Sequence, residues 1–168
     1  SFKSTQTPLK FENINHIVFA GMGGSGAIGD IFASVLSKSG IHVNIVKGYL
    51  LPKTVDSNTL VVVISVSGNT AETLSILQTS QKLNCKIVAF LSGGKMLEYC
   101  IKNKIQHRII NKYHSPRASF TSYLYTMLKV LHTTLGIKKE DILESISELE
   151  KINKIICSLN LTDSNPSL

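Results

Sequence analysis

Apolar residues along this chain gather into short continuous runs that are separated by longer amphipathic segments. The runs of strand length, rich in Val and Ile, cover residues 17–22, 43–46, 60–64, 87–91 and 108–110. Because most positions within each run are apolar in succession and do not alternate with polar ones, the runs predict parallel strands buried on both faces. The last run, which begins with Arg108, is the least clear of the five.

Helical periodicity fills the segments between these runs. It predicts helices at residues 27–37, 71–83, 96–103, 118–135 and 140–158. The alternation predicts an α/β fold of three layers, a doubly wound five-stranded parallel sheet with helices on both faces. Residues 47–59 show no long helix, so strand three need not lie beside strand two. The predicted strand order is therefore the flavodoxin-like 2-1-3-4-5, in which the loops after strands one and three are adjacent.

Length and composition limit the number of domains. A chain of 168 residues that is 43% hydrophobic can bury one good core but is too short for two ordinary domains. We expect one domain at residues 11–158 and a linker-like tail at 159–168. Neither a run of about 18 apolar residues nor a signal-peptide pattern is present, so we expect a cytoplasmic protein without a membrane partner. The three cysteines are odd in number and widely spaced, which predicts buried thiols and no metal site.

The net charge of +7 makes an anionic partner plausible. A nucleic acid is disfavoured, because the lysines are scattered over several elements without interleaved aromatic residues. A small phosphate ligand, or a surface that is merely well solvated, accounts for the charge equally well. Lysine carries nearly all of the positive charge, and the two arginines are Arg108 and Arg117. An arginine in such a chain is expected where a planar, bidentate donor is needed.

The loop after the first strand, residues 21–26, has the spacing G-x-G-x-x-G and precedes a predicted helix. This pattern suits a dinucleotide-binding turn, with Lys47 able to favour a 2′-phosphate. However, no Asp or Glu ends the second strand to hold a ribose hydroxyl, and a second phosphate loop follows strand three. Glycines that serve only a tight turn, with no ligand, are a further interpretation.

The loop Ser65-Val66-Ser67-Gly68-Asn69-Thr70, which follows strand three, is the stronger signal. The hydroxyls of Ser65 and Ser67 are two residues apart in extended backbone and point the same way, and Gly68 allows a sharp turn. Thr70 then opens a helix, whose N-terminal dipole and free amides favour an anion. The plain alternative is an ordinary helix cap. Since two such loops meet at the switch point of the sheet, we interpret this one as a phosphate site.

Four sequence pieces together resemble a known family. They are GGSG at residues 23–26, SVSGNTAET at 65–73, SGGK at 92–95 and SPRA at 115–118. The first two are similar to the SIS (sugar isomerase) domain of phosphosugar-binding proteins. The last two make the chain resemble the N-terminal SIS half of archaeal-type bifunctional phosphoglucose/phosphomannose isomerases.

The resemblance implies roles for particular residues. Ser65, Ser67 and Thr70 would bind the sugar phosphate, Gly24 and Ser25 would line the sugar site, and Arg117 would act at the reaction centre. The implied reaction interconverts glucose 6-phosphate or mannose 6-phosphate with fructose 6-phosphate through an enediolate, without metal or organic cofactor. An arginine suits a developing oxyanion because it keeps its charge. The plain alternative for Arg117 is a surface residue at a helix start, where the dipole disfavours it.

The resemblance also implies that this chain is incomplete as an enzyme. In that family the glutamate base, a histidine and a lysine come from the second SIS half or from a neighbouring subunit. We therefore expect a homodimer or pairing with a second SIS domain beyond residues 159–168, and no catalysis by this chain alone. Glu72 is better explained as complementing the dipole of its helix than as the base, and His114 as a solvated loop residue. Lys95 suits contact with the anion and an exposed position equally. A non-catalytic module that senses phosphosugar is the alternative function.

Overall fold

The structure, a computed structural model, describes residues 7–115 and 117–157. Its centre is a parallel sheet of five strands: β1 His16–Ala20, β2 His42–Val46, β3 Thr59–Ser65, β4 Lys86–Leu91 and β5 Gln106–Ile109. The strand order is β2-β1-β3-β4-β5, which confirms the predicted flavodoxin-like order. β1 pairs with β3 in the register His16 to Thr59 through Ala20 to Val63. The loops that leave these two strands therefore start side by side.

Helices connect each pair of successive strands except β2 and β3, and two more follow β5. They are α1 Gly24–Val35, α2 Ala71–Lys82, α3 Gly94–Lys102, α4 Phe120–Leu135 and α5 Lys139–Ile156, with a short 3-10 turn at Leu36–Lys38. α1 and α3 begin two or three residues earlier than the periodicity predicts, because Gly23 and Gly93 turn the chain directly into the helix. The predicted end of the last helix at Ser158, and the linker at 159–168, lie outside the described residues.

The core divides into two apolar clusters, one on each face of the sheet. On one face α1 and α4 pack against alternate strand residues such as Phe19 and Val62. On the other face α2 and α3 pack against the intervening residues, such as Val61 and Val63. Every residue of β1 and β3 is buried, as expected for strands that are apolar at nearly every position. The three-layer, doubly wound architecture is therefore confirmed.

Two of the helices leave apolar side chains exposed. In α1, Ile31 and Val35 are exposed because the close approach of Gly29 to Phe19 turns another side of the helix toward the sheet. In α5, Ile142 is buried, whereas Leu149 and Ile152 are about half exposed. The apolar stripe of α5 that these three residues form thus stays largely uncovered within the described part of the chain. No described helix has the length and apolar character that a membrane crossing requires.

Burial of Cys100 leads to a prediction about pH. This side chain of α3 is fully buried against the sheet, and its burial raises the pKa of the thiol from 9.0 to about 11. The unfolded chain therefore loses this proton at a lower pH than the folded chain does. We expect the free energy of unfolding to fall by up to about 3 kcal/mol from this group as the pH rises through that interval.

Urea denaturation between pH 8 and 11 measures this loss. Other groups also titrate at high pH, so the same series on Cys100→Ala is the control, and its decline should be shallower than that of the wild type. Equal slopes for the two proteins would show that the buried thiol contributes nothing.

Candidate functional site

The loops at the carboxyl ends of the strands form one edge of the sheet. The residues from Gly21 follow β1 and those from Val66 follow β3, and these two strands are hydrogen-bonded neighbours. The loop after β4, which leads into α3 at Gly94, lies next along the same edge. In a doubly wound sheet, this switch point is where ligands bind. Topology therefore brings together the two loops that the sequence singled out.

The loop after β3 gathers three hydroxyl groups. The oxygen Thr70 Oγ1 lies 3.2 Å from Ser65 Oγ and 3.3 Å from Ser67 Oγ. Ser65 is buried and its Oγ accepts the Gly68 N–H at 3.0 Å, which folds the loop back on itself. Ser67 is exposed, so one of the three hydroxyls faces solvent directly. The hydroxyls of Ser65 and Ser67, two of the predicted phosphate residues, are thus both within hydrogen-bond distance of the hydroxyl of the third, Thr70.

Thr70 does not act as the simple helix cap that the plain alternative requires. It occupies the N-cap position of α2, but its side chain makes no hydrogen bond to the helix amides. Its hydroxyl instead faces the two serines. Because the first amides of a helix have no partner inside the helix, those of α2 stay available beside the hydroxyl group cluster. Hydroxyls, amides and the positive end of the α2 dipole therefore point to one place, which suits a phosphate.

The segment after β4 is joined to this loop by hydrogen bonds. The Ser92 hydroxyl donates to the Val66 carbonyl, and the Met96 N–H donates to the Gly68 carbonyl at 2.9 Å. Asn69 Oδ1 accepts the Lys95 N–H at 3.0 Å. The sequence predicts no separate role for Asn69. Its partner Lys95 follows 26 residues later in the chain.

The glycine-rich loop combines packing with open space. A Cβ at Gly21 would lie 2.8 Å from the Ser25 carbonyl carbon, and one at Gly26 would lie 2.7 Å from the Gly21 oxygen. Close packing alone explains these two glycines, as the interpretation without a ligand proposed. Gly23 and Gly24, in contrast, have no atom within 4 Å of a Cβ position and are exposed. Ser25 is buried beside them. This opening is where a ligand can approach the backbone.

Lys47 does not behave as a free phosphate ligand. Its Nζ lies 2.7 Å from the Asp30 carboxylate, and both side chains are about half exposed. Its aliphatic stem packs against Gly26. The residue that could have favoured a nucleotide 2′-phosphate is thus engaged with α1, which weakens the dinucleotide interpretation.

Arg117 lies in a turn ahead of α4, outside the helix. The buried Ser119 holds this turn, since its Oγ donates to the Ser115 carbonyl at 3.0 Å and accepts the Tyr113 N–H at 3.0 Å. Arg117 is exposed and lies between the carboxyl end of β5 and the start of α4. Because α4 begins at Phe120, the helix-dipole objection to this arginine is weaker than the sequence suggested. Pro116 lies outside the described residues.

The other arginine has a structural role. Arg108 is partly buried on β5, and its two terminal nitrogens donate to the carbonyls of His107 and Thr7. Burial lowers the pKa of its guanidinium. Its fork thus ties the N-terminal segment to the edge strand. The expectation that an arginine serves where a bidentate donor is needed thus holds for Arg108, but its acceptors are backbone carbonyls.

Comparison with known proteins decides the family. Residues 10–135 match the SIS domain. The chain belongs to the SIS domain family. A bifunctional phosphoglucose/phosphomannose isomerase of Caldicellulosiruptor bescii is 36% identical to it over 151 residues, which are 89% of this chain and 44% of that protein. A protein of the same name from Thermoplasma acidophilum is 35% identical over 84% of this chain and 44% of its own length.

Solved structures show the same fold. Glucosamine-6-phosphate deaminase from Thermotoga maritima superimposes with a TM-score of 0.64 at 19% identity, over 89% of this chain and 50% of that one. The SIS match ends at residue 135, so α5 lies outside it. This SIS domain also spans less than half the length of the two isomerases that it resembles. The resemblance inferred from the four sequence pieces is thereby confirmed.

Proposed function

We propose that this SIS domain binds the phosphate of a hexose 6-phosphate and forms the N-terminal half of a phosphoglucose/phosphomannose isomerase. The observation that carries the proposal is the convergence of Ser65, Ser67 and Thr70 hydroxyls beside the uncapped start of α2. A phosphate dianion accepts several hydrogen bonds at once and is favoured by the helix dipole. The isomerase relatives, at 36% and 35% identity, support the choice of substrate class.

The sugar would extend from the phosphate toward the open backbone at Gly23 and Gly24. These residues lie on the neighbouring loop and leave room that a side chain would fill. Buried Ser25 lies at the base of this opening. With the phosphate fixed on the loop after β3, a hexose lying across the switch point would face the carboxyl ends of β1 and β3.

Arg117 would stabilise the charge that develops during isomerisation. Moving a proton between the first two sugar carbons passes through an enediolate, whose oxygen becomes negative. A guanidinium keeps its charge throughout such a reaction. Moving the proton requires a general base. We propose that this base belongs to a second SIS domain or to another copy of this chain. The partly exposed stripe on α5 offers a surface for such pairing.

Titration of the chain with fructose 6-phosphate, followed by calorimetry, tests the binding proposal. We expect saturable binding by the wild type and at least tenfold weaker binding by Ser67→Ala, because a hydrogen bond to a charged group contributes about 1.5–3 kcal/mol. Ser147→Ala, an exposed serine on α5, is the matched control and should bind like the wild type. No binding by the wild type, or equal binding by the Ser67 variant, would contradict the proposal.

Isomerisation is a separate measurement on the complete protein of the parent gene. There, Arg117→Ala should lower the turnover of glucose 6-phosphate while fructose 6-phosphate still binds. Binding without any turnover by the complete protein would instead favour the sensor function.

A further inference from the structure

Asn69 links the phosphate loop to the start of a different helix. Its side-chain Oδ1 accepts the Lys95 N–H at 3.0 Å, while its Nδ2 donates to the Ser67 carbonyl at 3.3 Å. Its own backbone N–H donates to Ser67 Oγ at 3.2 Å. Ser67 is therefore held by Asn69 at both its carbonyl and its hydroxyl. Asn69 is exposed and is separate from the three hydroxyl residues that gather at the loop.

The start of α3 has no cap of its own. Gly93 occupies its N-cap position and has no side chain to offer. The first-turn amides of Lys95 and Met96 donate instead to Asn69 Oδ1 and to the Gly68 carbonyl. Unpaired amides at a helix start are usually satisfied by a side chain just before the helix. Here the phosphate loop supplies these acceptors, so α3 and the loop fix each other.

The fit around the Asn69 amide is close. A Cβ at Gly94 would lie 2.6 Å from Asn69 Oδ1, and Gly94 has φ +69°. The backbone at the start of α3 thus leaves room for this side chain. The side-chain amide therefore packs against the start of α3, unlike that of a freely moving surface asparagine.

We propose that Asn69 is a positioning residue that presets the phosphate loop for binding, acting through Ser67. This inference rests on the proposed function of the loop. The Asn69 side chain holds the carbonyl of the exposed Ser67, so without it the backbone that carries the Ser67 hydroxyl would sample several conformations in the free chain. Binding would then have to order the loop, and that ordering cost subtracts from affinity. The bonds of Asn69 to Ser67 and Lys95 order the loop in the free chain, so less conformational entropy is lost when the ligand binds.

Two substitutions of Asn69 separate positioning from simple capping of α3. Asn69→Asp keeps an acceptor for the Lys95 N–H, and its charge suits a helix start, but it cannot donate to the Ser67 carbonyl. Asn69→Ala loses both bonds. We expect Asn69→Ala to lower the melting temperature and Asn69→Asp to keep it. Both should bind fructose 6-phosphate roughly tenfold more weakly than the wild type, in line with the loss of about one hydrogen bond.

The negative charge of the aspartate is a second reason for weaker binding. Measurements at high salt separate the effect of this charge from the effect of the lost hydrogen-bond donor. At 1 M salt the screening length is only about 3 Å, so a loss relative to wild type that persists there reflects the missing donor. Asn103→Ala is the matched control, because that amide bridges Gln81 and Tyr99 at the opposite end of α3. It should bind like the wild type. Wild-type affinity in Asn69→Asp would mean that Asn69 only caps α3 and would overturn the proposal.

Amide hydrogen exchange provides a readout that needs no ligand. In Asn69→Ala the backbone amides of residues 69 and 95 should exchange faster than in the wild type. Unchanged exchange rates would overturn the proposal. If the wild type fails to bind fructose 6-phosphate, the proposed function falls, and the exchange rates still decide whether Asn69 holds the loop. If Ser67→Ala loses binding while Asn69→Ala keeps it, the positioning role falls and the proposed function stands.

Discussion

Replacing Gly68 by alanine is expected to abolish phosphosugar binding and to destabilise the chain strongly. A Cβ at this position would lie 1.7 Å from the Gly93 carbonyl oxygen, which is far inside contact distance. The residue also has φ +66°, a conformation that costs an L-amino acid roughly 1–2 kcal/mol. Its N–H and carbonyl are both used, by Ser65 and by Met96. The loop therefore cannot relax without losing these bonds.

We expect Gly68→Ala to lower the free energy of unfolding by more than about 3 kcal/mol, since backbone overlap and a strained φ combine. Chemical denaturation measures the loss, and the fructose 6-phosphate titration measures binding. Gly40→Ala is the control, because a Cβ there meets no atom within 4 Å and the residue has no positive φ. It should be neutral or slightly stabilising. A Gly68→Ala protein as stable as the Gly40 variant would show that the two loops are not packed as described.

The second large effect concerns Tyr123, which lies under the loops on the α4 side of the sheet. The side chain is fully buried in the core cluster that includes Val66 and Phe90. Burial raises the pKa of its phenol, and the nearby Ser92 side chain acts in the opposite direction. The Ser92 hydroxyl donates its hydrogen bond to the Val66 carbonyl, and no described atom makes a well-formed hydrogen bond to the phenol oxygen of Tyr123. The stability that Tyr123 provides therefore comes from its ring.

Tyr123→Ala is expected to lower the free energy of unfolding by about 3–5 kcal/mol, as for other large buried aromatics. Tyr123→Phe keeps the ring and removes a poorly satisfied hydroxyl, so its stability should stay within about 1 kcal/mol of the wild type. Tyr49→Ala, at a tyrosine that is 54% exposed, is the control and should change stability little. A large loss in Tyr123→Phe would contradict this account, because it would reveal a strong bond to the phenol.

The parts of the fold that depend on local pattern were predictable. The consecutive apolar residues of β3 predicted burial on both faces, and residues 47–59 predicted that strand three leaves the side of strand two. Both features appear in the observed strand order. The hydroxyls of Ser65, Ser67 and Thr70 were also predictable as a group. They lie within six residues of one another, between a strand and a helix.

Features that depend on which elements become neighbours were not predictable in this way. The exposure of the apolar residues Ile31 and Val35 of α1 follows from how closely Gly29 approaches the sheet. Ser119 holds the turn that contains Arg117, yet the periodicity placed it inside a helix predicted at residues 118–135. Residue type alone does not distinguish Arg108 from Arg117. The structure does, because Arg108 donates to the carbonyl of Thr7 in a distant segment of the chain.

By itself, the sequence determined the strand order, the edge at which the two candidate loops meet and the hydroxyl loop Ser65 to Thr70. Each follows from hydrophobic periodicity or from residues that are close in the chain. Only the tertiary structure decided that this loop is held by the start of α3, through bonds from Ser92 to Val66 and from Lys95 to Asn69. Those partners are 26 residues apart and meet because β3 and β4 are paired. A hydrogen bond between distant residues leaves no periodic trace in the sequence, so it becomes visible only once the strands are in register.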